Sequence, residues 1–103
     1  MIVFVTETGA VELHEPGDFK NFKIVAAKKD APAGFLASAL TGVAALDPDG
    51  KTAWVSGAAL KTWQGRPQPA DWVQSFDKMV ESVRRFGWVR DDGTVRAHIE
   101  TAS

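Results

Sequence analysis

His14 and His98 are the side chains in this sequence best suited by type to move protons near neutral pH, because the chain contains no cysteine and no tyrosine. Each stands at a polar position of an alternating stretch, Val11-Glu12-Leu13-His14 and Val95-Arg96-Ala97-His98-Ile99-Glu100. That placement predicts imidazoles facing solvent, with Glu12, Glu100 and Arg96 close by. If the two stretches are neighbouring strands, the histidines converge. A metal would still need a third ligand, and a general base would need a substrate pocket beside it. His14, Arg96 and His98 are therefore read as polar assistants to a site built by other residues. No catalytic residue, metal or cofactor is assigned.

The four tryptophans form the second group. Trp72 falls on a helical stripe and is expected in the core. Trp54, Trp63 and Trp88 are less constrained, and an indole is wide, apolar and carries one donor, which suits a ligand pocket or a subunit contact. With Val3 and Val25 they make up the candidate ligand or dimer surface. Arg85-Phe86-Gly87-Trp88-Val89-Arg90 matches the aromatic strand of RNA-binding sheets poorly, since Phe86 and Gly87 belong to a helix end and no companion strand is found. Core packing is expected for Phe86 and Trp88. Lys20, Lys23, Lys28 and Lys29, interleaved with Phe19 and Phe22, suit either a single-strand patch or, more simply, a solvated strand edge. Asp47-Pro48-Asp49-Gly50 begins like a calcium loop, yet no later acid follows in reach, so it reads as a turn.

Composition narrows the function further. With 103 residues, 45% hydrophobic and 24% charged, the chain is one ordinary globular domain, residues 1–103. The net charge is −1 and the isoelectric point near 6.1, without the positive excess a nucleic-acid binder needs. Absence of cysteine excludes disulfides and thiolate metal sites and fits a reducing compartment. No basic leader precedes Ile2–Val5, and no stretch approaches the roughly 20 apolar residues that span a bilayer. With its alanine-rich composition, the chain is expected to be a cytoplasmic bacterial protein with no membrane partner.

Three turns organise the elements that must carry these residues. Thr8-Gly9, Asp47-Pro48-Asp49-Gly50 and Asp91-Asp92-Gly93 each separate apolar runs and predict β-hairpins. Another strand is predicted within Phe22–Lys28. A helix is predicted from about Pro69 to Phe86, with Trp72, Phe76, Met79, Val83 and Phe86 on one stripe and Gly87 as its stop. A weaker one is predicted from about Ala31 to Thr41, capped by Asp30 and packing through Leu36 and Leu40. Residues 56–65 suit either a helical turn or a loop.

The fold class expected is α+β, an antiparallel sheet with two helices packed on one face, with a ferredoxin-like split β-α-β arrangement as the nearest known layout. Ile2–Val5 and Ile24–Ala27 are apolar on both faces and should be central; the alternating Ala10–Glu15 and Thr94–Glu100 should be peripheral. The face away from the helices would then need a cover, either a partner subunit or ligand, or the segment around Trp63. The function expected is a non-enzymatic binding domain, homodimeric, with a small apolar or aromatic ligand as the other candidate partner. Its rivals are a cofactor-independent enzyme on a ferredoxin-like dimer with an apolar pocket, and a single-stranded nucleic acid binder.

Overall fold

The computed structural model of the protein describes residues 1–101. The strands are β1 (Ile2–Val5), β2 (Val11–His14), β3 (Lys23–Ala26), β4 (Ala44–Leu46), β5 (Thr52–Ser56), β6 (Thr62–Trp63), β7 (Arg66–Pro67) and β8 (Thr94–Thr101). The helices are α1 (Ala33–Ala39), α2 (Gly57–Lys61) and α3 (Ala70–Arg84). Six strands form one sheet in the order β2-β1-β3-β8-β5-β4, and β6 and β7 form a small separate hairpin.

The sheet is mixed, which corrects the antiparallel expectation. β1–β2, β4–β5 and β5–β8 are antiparallel, but β1–β3 and β3–β8 run parallel. The first parallel pair arises because the chain leaves β2 at one edge, passes around the start of β1 and pairs on its other side. The amino group of Met1 donates to the carbonyls of Asp18 and Asn21 in that connection. A ferredoxin-like layout is not what these pairings describe. β1 and β3 are indeed internal. β8 is internal too, between β3 and β5, which corrects its expected peripheral place. Its alternation reports that one sheet face meets water, not that the strand lies at an edge.

Register places Val3 and Val5, Ile24 and Ala26, Ala53 and Val55, and Val95 and Ala97 on one face, all buried. Leu36 of α1 and Leu40 just after it, Leu60 of α2, and Trp72 and Phe76 of α3 join them in one core. Three helices rather than two thus cover this face. The ambiguous segment 56–65 is the third: Ser56 caps α2 by accepting a hydrogen bond from the Ala59 N–H at 3.1 Å.

The helix ends differ from expectation. Pro32 rather than Asp30 stands at the N-cap position of α1, with no side-chain cap, and Asp30 takes a positive φ of 55°. α3 starts at Ala70 and ends at Arg84, because Phe86 and Gly87 close tighter turns on Val83 and Arg84 and Gly87 has φ 75°. Phe86 therefore leaves the apolar stripe and is exposed.

The turn carboxylates Asp18, Asp49 and Asp92 share a role. Asp49 accepts from the N–H groups of Lys51 and Thr52 at 2.8 and 3.1 Å and from the Thr52 hydroxyl. Asp92 accepts from the hydroxyl and N–H of Thr94, and Asp18 from the Asn21 amide and the Lys20 N–H. These donors hold all three carboxyls below their ordinary pKa: chiefly the Lys51 N–H for Asp49, the Thr94 hydroxyl for Asp92 and the Asn21 side chain for Asp18. A carboxyl with a depressed folded pKa stabilises the fold above its unfolded value, near 4, and loses that contribution as pH falls through the folded value. The melting temperature should thus drop below about pH 4. Asp49→Ala should melt earlier than the parent at neutral pH, with the gap narrowing in acid. A gap that stays constant down to about pH 2 would deny the carboxylate this role.

Candidate functional site

The opposite sheet face receives none of these helical side chains among the described residues. Across it runs the row His14, Ile2, Lys23, His98, Thr52, followed by Glu12, Phe4, Val25, Glu100. Ile2, Phe4 and Val25 are half-buried and adjacent on β1 and β3. Charged and polar groups surround them.

The histidines share a row but do not converge. Three strand spacings separate them, about 14 Å at roughly 4.8 Å each. His14 shares a hydrogen bond with Glu12 at 2.9 Å and stacks on Phe4, ring centroids 4.8 Å apart. His98 shares one with Glu100 at 3.0 Å, and Lys23 binds the other oxygen of that carboxylate at 3.0 Å. Lys23 first, then His98, holds Glu100 below the usual carboxylate range. Both imidazoles are exposed. Among the described residues no group of three or more histidines and acids is placed to hold a metal ion.

The other candidates scatter. Val3 is fully buried on the helix-covered face, so it offers nothing to a ligand or partner on the open one. Val25 does face outward. Trp54 also lies on the open face, but the Arg90 guanidinium sits 3.8 Å from its ring centre and its Nε1 donates to Asp47 at 3.1 Å. Trp63 packs against the helix-side core instead of covering the open face, in a depression formed with Val11, Val43 and Ala59. The segment around Trp63 is therefore no cover for that face.

Trp88 provides the main correction to the expected core packing. It is 41% exposed and Phe86 55%, with ring centroids 5.1 Å apart. After Gly87 the chain turns back along β8: Val89 bridges Val95, and the Trp88 carbonyl accepts from the Arg96 N–H at 2.8 Å. Further along, β8 takes β3 as its neighbour instead. Where the neighbour changes, a cleft of about 240 Å³ opens, lined by Phe22, Thr52, Trp88, Arg96, Ala97 and His98. Phe22, Trp88 and Arg96 also line a second depression of about 110 Å³ that reaches Met79 and Val83 of α3.

Three sequence-stated candidates, Trp88, Arg96 and His98, thus meet at one place. Thr52 and Phe22, the latter an aromatic of the lysine patch, complete it; the sequence does not show that meeting, because the gap between β3 and the Trp88 segment is a product of strand order. The cleft offers apolar walls, one guanidinium and one imidazole, with no nucleophile beyond the Thr52 hydroxyl, itself bonded to Asp49. No helix among the described residues is long and apolar enough to cross a membrane. Comparison of the chain with known protein families, with curated proteins and with solved structures returns no match.

Proposed function

We propose that this chain is a binding domain acting through the uncovered face of its sheet, and that a second copy of the chain is the partner of that face. The observation that supports this reading is the half-buried strip of Ile2, Phe4 and Val25, which no helix covers while three helices crowd the other face. A two-fold axis through the strip would set it on itself, and Glu12, Lys23 and Glu100 around it would supply charges of both signs at the rim. The parent should sediment as a dimer at micromolar concentration, and Val25→Glu as a folded monomer. A parent that is monomeric across that range, or a Val25→Glu chain that stays dimeric, removes the contact.

The exposure of both histidines favours binding over cofactor-independent catalysis, which would need an imidazole withdrawn from solvent beside a cavity. Nucleic acid fits less well. Lys23 is taken by Glu100 and Lys28 lies over Phe35; Lys20 and Lys29 make no ion pair among the described residues, and of the four Lys20 alone lines the depression beside Trp88.

A further inference from the structure

We infer that the cleft between Phe22 and Trp88 is a binding site for a small carboxylate carried on a flat apolar group, an arylacetate or its like. The inference rests on reading the uncovered face as the acting surface, at whose margin the cleft lies. Size is the first argument. A dry cavity of about 150 Å³ accommodates benzene, so about 240 Å³ has room for one ring and a carboxylate. The walls are the second. Trp88 and Phe22 both line the cleft, and the adjoining depression toward Met79 and Val83 continues that apolar lining.

The sign of the charge follows from Arg96. It is exposed at the cleft and takes part in none of the ion pairs among the described residues. Of the nearby carboxylates, Glu100 is paired with Lys23 and His98, and Asp47 is bonded to Trp54 and lies by Arg90; Asp49, held by the Lys51–Thr52 turn, feels the charge of Arg96 but makes no ion-pair contact with it. A guanidinium fork beside aromatic walls is matched by a planar carboxylate, which it binds through two parallel hydrogen bonds.

Phenylacetate, phenylacetamide and acetate, titrated into the isotope-labelled chain, separate ring from charge. The Trp88 indole N–H, assigned with Trp88→Phe, should shift saturably with phenylacetate at a dissociation constant of about 1 mM or below, as expected for a ligand of this size. Phenylacetamide and acetate should each bind at least about tenfold more weakly. Arg96→Gln, a change at an exposed position, should abolish the preference for the acid over the amide. Equal binding of acid and amide, a preference that survives Arg96→Gln, shifts centred on Trp63, or no shift by about 10 mM overturns the site. Sedimentation of the parent separates this inference from the dimer: phenylacetate binding by a monomeric parent leaves the cleft standing and the dimer refuted, and a dimeric parent without binding does the reverse.

Discussion

Phe76→Ala should destabilise the chain by about 3–5 kcal/mol, the range for removing a buried aromatic and leaving a cavity. Phe76 is 2% exposed, and its ring stacks on Trp72 with centroids 5.2 Å apart and planes within 7°. Its other neighbours cannot close in on the space. Gly57 has no side chain to supply, and a Cβ there would already lie 3.0 Å from the Gly93 carbonyl. Lys61, whose ammonium rests 5.8 Å from the ring centre, is tied to Asp77 at 2.9 Å. The vacated volume should therefore remain largely open, and the loss should fall toward the upper part of that range. Gln74→Ala on the exposed side of α3 is the control and should change stability by less than about 0.5 kcal/mol. Denaturant unfolding of the two variants decides the matter: equal midpoints would mean that α3 does not anchor the core.

Trp72→Ala should cost a similar amount, about 3–5 kcal/mol, with a different spatial signature. Besides stacking on Phe76, the indole meets Phe19 at 5.6 Å and donates from Nε1 to the Pro16 carbonyl at 2.7 Å. It thereby pins the connection that carries the chain around the start of β1. Amide exchange within residues 15–22 should accelerate far more in Trp72→Ala than in Phe76→Ala. Trp72→Phe keeps an aromatic ring but loses the donor. Because Pro16 is exposed, its carbonyl can turn to water, and that variant should lose about 1 kcal/mol through the hydrogen bond. Uniform acceleration across the chain in Trp72→Ala would show that the tryptophan acts on global stability alone.

Local chemistry made part of this structure readable from residues. Three glycine-bearing turns stand where Gly9, Gly50 and Gly93 predict them, each with positive φ, and the α3 stripe buries Trp72 and Phe76 as its spacing requires. Pairing partners were not readable, since parallel neighbours are chosen by contacts far apart in sequence. Thr94–Glu100 shows the limit clearly. Its alternation identified the wet face correctly and its position wrongly, because a central strand over an uncovered face alternates just as an edge strand does. Phe86 shows another. It continues the helical period, yet Gly87 ends the helix first, and a residue counted with the core stands in solvent beside Trp88. Of the cleft, Arg96, His98 and Trp88 were singled out by residue type, whereas their meeting with Phe22 depends on which segments flank β8.

β8 also sets an order of assembly. The unit β1-β2-β3 closes within residues 2–26 and the β4–β5 hairpin within 44–56, so both can form from short loops. Neither touches the other in the sheet; β8 alone joins them, pairing with β3 on one side and β5 on the other. It is the last strand in chain order, and its contacts reach back more than 70 residues to Lys23–Ala26, as the pair Lys23 and His98 shows. Until it arrives, the facing edges of β3 and β5 are two unpaired strands rich in Ile, Val and Trp, the kind of edge that recruits other chains. During synthesis on a ribosome both units would emerge before the strand that joins them, and the hazard of misassembly is concentrated in that interval.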